Sequence, residues 1–187
     1  MPTAFIIHGS MGSPLGNWFP WLKTGLERLG FEVVAPQFPG PPNQTFEDWL
    51  PLLQPHLKKA DEKSIFIAHS LGPAFVLQLL EKTPAKASAC YFVAGFTEKL
   101  GIMVFDSANA SLIGKPLDWK SIRKKCPKFV CFASSNDPYV PMEKTKSLND
   151  NLQGEFVLVQ NAGHFMKSDG FERFPVLLER IKRDPKP

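Results

Sequence analysis

The stretch Ser64-Ile65-Phe66-Ile67-Ala68-His69-Ser70-Leu71-Gly72-Pro73-Ala74-Phe75-Val76-Leu77 decides the fold. Its first part is a short apolar run, which reads as a strand buried on both faces. Pro73 suits a first helical turn, where backbone amides lack intrahelical partners anyway, and the apolar residues after it continue a helix. Ser70 therefore sits on a tight strand-to-helix turn with its hydroxyl lifted above the sheet, the arrangement known as a nucleophile elbow. The helix N-terminus behind it favours an anion there. Such a turn needs small residues two positions either side of the serine, because the backbone nearly touches its neighbours. Gly72 meets this need, and Ala68 stands where a glycine is usual, one methyl being tolerable.

Working outward, apolar runs over 3–7, 31–35, 64–68, 88–93, 128–133 and 155–159 read as six strands. Helical patterns separate them. Trp18, Trp21, Leu22, Leu26 and Leu29 keep helical spacing up to Gly30. Phe46, Trp49, Leu50, Leu53 and Leu57 form a second stripe, which Pro51 and Pro55 kink or split. Further helices are expected over 71–82, 118–124, 141–152 and 171–183. Strands alternating with helices specify a mostly parallel sheet covered on both faces, with right-handed crossovers. The segment 95–116 breaks the rhythm. It follows a strand, so it lies over the C-terminal edge of the sheet, where open α/β sheets bind ligands; a small lid and a packed crossover both fit it.

Two partners for Ser70 follow in the chain order associated with this elbow, acid and then histidine. Asp137 lies in Ser134-Ser135-Asn136-Asp137-Pro138, directly after a strand, although Asp-Pro also initiates turns. Among its rivals Asp118 reads as a helix N-cap, Asp150 as a solvated helix residue, and Asp169 falls after the histidine; Asp106 lies in the irregular segment. His164 sits in Asn161-Ala162-Gly163-His164-Phe165, where Gly163 permits a sharp exit from the last strand. His8 ends the first strand, His56 lies on a helix and His69 adjoins the elbow. Ser70, Asp137 and His164 are the candidate triad. The loop His8-Gly9-Ser10-Met11-Gly12-Ser13 lacks the lysine of a phosphate-binding loop and does not match G-x-G-x-x-G. It reads as an oxyanion loop, one amide coming from Ser10 (or Met11) and the other from Leu71. Phe38, in the proline-stiffened stretch after the second strand, and Phe96 are candidates to line a substrate pocket.

The 187 residues suit one domain over 1–187, at roughly 150 residues per domain. With 43% hydrophobic and 21% charged residues the chain is in the globular range, which excludes disorder. No apolar run reaches the ~18 residues of a membrane span, and the N-terminus carries no secretory pattern. The three cysteines, Cys90, Cys126 and Cys131, are odd in number and lie in or beside apolar segments, which points to reduced thiols and a cytoplasmic location. Cys126 and Cys131 have no neighbours to complete a metal site. The net charge of +4 gathers over 120–128 and from Arg180 onward; without a zinc-finger or RNA-binding signature it reads as solvated surface, not a nucleic-acid patch.

His8-Gly9, Asn17-Trp18-Phe19-Pro20-Trp21-Leu22, Ala68-His69-Ser70-Leu71-Gly72, Ser135-Asn136-Asp137-Pro138 with Val140-Pro141, and Gly163-His164-Phe165 occur here in order. In this the chain resembles, from end to end, the small α/β-hydrolase serine hydrolases typified by retinoblastoma-binding protein 9 and its bacterial relatives. The resemblance implies a three-layer α/β-hydrolase-type fold of about six strands, no metal or organic cofactor, and Ser70, Asp137 and His164 as nucleophile, acid and base. Retinoblastoma-protein binding is not implied, because no Leu-x-Cys-x-Glu stretch is present. The expected activity is hydrolysis of esters or related acyl compounds with small apolar groups, the partner being a small-molecule acyl substrate and neither nucleic acid nor membrane. Thioester and peptide hydrolysis use the same machinery. Two other readings stay open: a catalytically weak protein-binding member of the fold, and a flavodoxin-like flavin binder using the loop 9–16.

Overall fold

Alternation along the strands divides the buried residues into two faces. The computed structural model describes residues 1–184; the end of the basic tail, 185–187, lies outside the described residues. Six strands, β1 (Thr3–Ile7), β2 (Glu32–Val34), β3 (Ile65–His69), β4 (Ala89–Val93), β5 (Phe129–Ser134) and β6 (Glu155–Val159), pair in the order β2-β1-β3-β4-β5-β6, all parallel. Phe5, Phe66, Cys90 and Phe129 stand in register across four strands and point to one face. Their chain neighbours Ala4, Ile65, Ala89 and Val130 point to the other. The Phe5 and Phe66 rings stack at 4.7 Å. Aromatic side chains bury roughly 150–250 Å² each, so such pairs dominate the core at ~25 cal/mol per Å².

Helix α1 (Phe19–Arg28) and the C-terminal α7 (Pro175–Arg183) cover the second face with Phe19, Leu22, Leu26, Leu177 and Ile181. The first face is covered by α2 (Phe46–Leu53), α3 (Gly72–Lys82), α5 (Trp119–Lys125) and α6 (Met142–Leu152), and the short α4 (Met103–Ala108) lies in the connection after β4. This is the three-layer α/β-hydrolase-type fold. The second stripe is split at its second proline: α2 runs through Pro51 and ends at Leu53, and a 3₁₀ turn spans Gln54–Lys59 with Pro55 in its first turn. Asp118 caps α5, its carboxylate accepting from the Ser121 amide.

Three expectations shift. The second strand shrinks to three residues at one edge, and the last helix begins only at Pro175. β6 has the other edge, so it is half-exposed instead of buried on both faces. Within the basic C-terminal cluster Arg180 pairs with Glu155 and Asp184, and Asp184 also holds Lys128 from the other basic stretch. All three thiols are free and buried, Cys90 and Cys126 with their sulfurs 3.5 Å apart. Among the described residues no helix is long and apolar enough to cross a membrane, and no cluster of side chains suits a metal ion.

Strand order reverses between β1 and β3, because β1 leads outward to β2 while β3 leads to β4, β5 and β6. A crevice opens at such a point beyond the C-terminal strand ends, where open α/β sheets take their ligands. The loops after β1 and β3 meet there.

Candidate active site

Ser70 follows β3 directly, with φ +57°, a left-handed conformation that non-glycine residues enter only when their surroundings impose it. Its amide donates to the Val93 carbonyl at 2.9 Å, fastening the turn to the end of β4. A Cβ on Gly72 would stand 2.8 Å from the Ile7 carbonyl oxygen and 3.3 Å from the Ala68 Cβ. The methyl of Ala68 is therefore accommodated because position 72 has no side chain. Gly9 meets the turn from the other side: a Cβ there would approach the Ser70 Cβ to 2.7 Å.

The loop after β5 presents Asp137. Its Oδ1 accepts from the amides of Tyr139 (2.9 Å) and Val140 (3.0 Å), so the carboxylate caps its own turn. Its Oδ2 faces His164 Nδ1 at 2.7 Å, and the Asp137 side chain is 1% exposed. His164 Nε2 lies 3.0 Å from Ser70 Oγ. With Nδ1–H donating to the carboxylate, Nε2 is the acceptor for the serine proton. The three residues picked from the sequence thus converge from the ends of β3, β5 and β6 into one hydrogen-bonded chain.

The histidine loop is held on every side. Gly163 has φ +54°, and a Cβ there would come within 2.4 Å of the Asp169 carboxyl carbon, so only glycine fits. Asp169 Oδ2 accepts from the amides of His164 (2.9 Å) and Met166 (3.0 Å). Trp18 Nε1 donates to the Phe165 carbonyl at 3.1 Å, and Asn17 Oδ1 accepts from the Lys167 amide at 3.0 Å. Ser134 Oγ and Asn136 Oδ1 accept from the amides of Ala162 (3.1 Å) and Gly163 (2.9 Å), tying the acid loop to the base loop. Helical spacing places Trp18 in the first stripe, and chain order places Asp169 after the histidine; neither bond is visible without the tertiary structure.

His69 is another residue the sequence underrated. Its Nε2 donates to the His164 carbonyl at 2.9 Å, and its ring lies 4.7 Å from the His164 ring. Burial, reinforced by the neighbouring His164, pushes its pKa down to about 3. Burial also lowers that of His8, whose Nδ1 donates to the Gly9 carbonyl (2.8 Å) while Nε2 accepts from the Phe38 amide (2.9 Å). Both rings are neutral spacers. The unfolded chain takes up a proton at position 69 below pH ~6.5, which the folded chain refuses until far lower pH. His69 stabilisation is therefore complete above pH ~6.5 and is lost as the pH falls, by up to ~1.4 kcal/mol per pH unit. His69→Phe is expected to flatten the acid limb of a denaturation series run from pH 7 to pH 4. An unchanged slope would show that His69 does not carry the acid sensitivity.

A cavity of about 460 Å³ opens beside Ser70 and His164, within the range of small-molecule sites. Phe96, Leu100, Ile102 and Phe105 from the segment 95–116 form one wall, and Tyr139 and Val140 another. The segment is stitched down: Asp106 accepts from the amides of Leu100 (2.9 Å) and Gly101 (2.8 Å), and the Gly114 amide donates to the Thr97 carbonyl at 2.7 Å. Ile102, Met103, Val104, Met11 and Tyr139 are exposed. Phe96 lines the cavity, but Phe38 does not. Its amide is taken by His8, and its ring turns into the core, stacked on Trp49 at 4.6 Å and packed against Phe75. At the loop after β1, the Met11 amide donates to Gln44 Oε1 (3.2 Å), whereas those of Ser10 and Leu71 have no hydrogen-bond partner among the described residues. Of the two choices left open for the first oxyanion donor, the structure leaves Ser10 available.

The model of a protein family described as serine hydrolase matches residues 4–183. Serine hydrolase RBBP9 of Rattus norvegicus is 29% identical over 181 residues, 94% of each chain. YdeN of Bacillus subtilis is 29% identical over 178 residues, 94% of this chain and 92% of YdeN. The crystal structure of the ydeN gene product superposes with a TM-score of 0.89 at 28% identity, covering 97% of both chains. An esterase domain from a Rhodothermus marinus protein, at 18% identity and a TM-score of 0.66 over 97% of this chain and 87% of its own, shares the fold.

Proposed function

The chain belongs to the serine hydrolase family, and from that premise we propose that it hydrolyses esters or related acyl compounds with small apolar acyl or alcohol groups through a Ser70–His164–Asp137 triad. The observation that carries the reading is the hydrogen-bonded chain from Ser70 Oγ to His164 Nε2 (3.0 Å) and from His164 Nδ1 to Asp137 (2.7 Å), at the mouth of an apolar cavity. Ser70 Oγ attacks the substrate carbonyl carbon while its proton passes to His164 Nε2. Asp137 orients the imidazole and stabilises its cation. The carbonyl electron pair moves onto oxygen, and the Ser10 and Leu71 amides hold that oxyanion. Collapse of the tetrahedral centre breaks the bond to the leaving alcohol, which takes the proton back from His164. Water then repeats the sequence on the acyl-Ser70 ester, releasing the acid and restoring the serine.

Apolar walls at Phe96, Leu100 and Phe105, with Met103 and Val104 exposed beside the mouth, favour apolar substituents. Family membership favours a hydrolase over the flavin-binding and protein-binding alternatives. The test is a panel of p-nitrophenyl esters from acetate to octanoate, with the monosuccinate as a charged counterpart, together with thioesters and peptide amides. Saturable turnover is expected for the short apolar esters, with kcat/KM for the charged acyl group lower by about 10-fold or more. Turnover confined to thioesters or peptides would keep the serine chemistry and overturn the ester assignment. A yellow protein inert to all of them would overturn the whole reading.

A further inference from the structure

The turn 41–44 delivers one side chain, Gln44, into the interior, where it is fully buried. Its Oε1 accepts from the Met11 amide at 3.2 Å, while its Nε2 donates to Ser10 Oγ at 2.8 Å and to Asn109 Oδ1. A backbone amide only donates, so Met11 fixes which end of the Gln44 carboxamide is oxygen. Asn109 is also fully buried, and its Nδ2 donates onward to the Phe105 carbonyl at 2.7 Å. Phe105 lines the cavity. Three segments far apart in sequence are thus joined by a single buried chain of amides running from the loop after β1 to the cavity wall.

We propose that Gln44 is a positioning residue for the oxyanion loop, occupying the Met11 amide and anchoring the Ser10 side chain so that the Ser10 amide is the donor left to the reacting carbonyl. Asn109 braces Gln44, which makes the cavity wall part of the same unit. The inference rests on the ester hydrolysis proposed above. Gln44 itself touches no reacting atom in this scheme. Its effect is exerted through the placement of a donor whose interaction is strongest in the transition state, so it acts on kcat far more than on KM.

The experiment measures kcat and KM for a short p-nitrophenyl ester, and the fluorophosphonate labelling rate of Ser70, in wild type, Gln44→Leu, Asn109→Ala and the double variant. Deleting an oxyanion donor outright costs ~10²–10³ in kcat, so a misplaced donor is expected to cost about 10-fold to 100-fold, with KM within about twofold and labelling slowed in parallel. Asn109, which makes no hydrogen bond to Ser10 or Ser70, is expected to lower kcat on its own. In the Gln44→Leu background the same change is expected to add nothing, since the two act as one unit. Should Gln44→Leu fail to fold, Gln44→Met, whose unbranched chain fills the same space but neither holds the Met11 amide nor anchors Ser10, is expected to show the same loss. Additive effects on kcat, or a raised KM with kcat intact, would overturn the proposal while leaving a wild type that labels and turns over. A wild type that neither labels at Ser70 nor cleaves any ester would remove the parent reading and this inference with it.

Discussion

Ser70→Ala is expected to remain folded while ester turnover falls by a factor on the order of 10⁶, the scale at which loss of a serine nucleophile is felt when its partners act as a unit. The fold should tolerate the change. Alanine keeps the Cβ that packs against Gly9, and the backbone amide still reaches the Val93 carbonyl. What disappears is the only oxygen within hydrogen-bond reach of His164 Nε2 among the described residues. A fluorophosphonate probe read out by intact mass, beside a circular dichroism melt, checks both halves. Labelling that survives in the alanine variant would pass the nucleophile to another serine. An unfolded variant would instead show that the hydroxyl is needed to hold the strained turn.

Asp137→Asn is expected to lower kcat by up to ~10⁴ with substrate binding little changed. The reason lies in the turn itself. Oδ1 of residue 137 accepts from the Tyr139 and Val140 amides, which fixes an introduced carboxamide with its oxygen on that side. Its NH₂ group must then face His164 Nδ1, 2.7 Å away in the native pair, and Nδ1 can accept that bond only by giving up its proton. The neutral ring thereby carries its proton on Nε2 and cannot take one from Ser70. Asp169→Asn makes the contrast. A single oxygen there serves both loop amides, and the carboxamide retains one, so the loss should be small. Steady-state kinetics on the two variants separate these cases. Near-native turnover in Asp137→Asn would mean that the imidazole is oriented by something else.

The parts that were legible in the sequence are those encoded locally. The run 64–69 announces a buried strand, and Gly72 and Pro73 announce the helix after it. The strand ends then place Asp137 and His164 on the same edge of the sheet as Ser70. The illegible parts depend on which loop covers which. Nothing in Pro41-Pro42-Asn43-Gln44 says that its last side chain goes inward, because a glutamine after two prolines reads as an exposed turn. Phe38 looked free for the same reason. Its burial follows from an amide bond to His8, 30 positions away in sequence. Edge strands are equally hidden: β6 is as apolar as its neighbours in the central positions, and only the strand order leaves one side of it open.

One connection between strands builds a whole wall of the cavity yet contributes no member of the triad. Nucleophile, acid and base stand on the ends of β3, β5 and β6, while Phe96, Leu100, Ile102 and Phe105 all come from the segment after β4. For protein engineering that segment is expected to behave as a cassette: exchanging its cavity-facing side chains should change which acyl group fits while leaving the triad in place. That freedom is limited at Asn109. A transplanted cassette that brings no amide to the place of Asn109 leaves Gln44 with an unanswered donor, so the residue to graft first is the one that never sees the substrate.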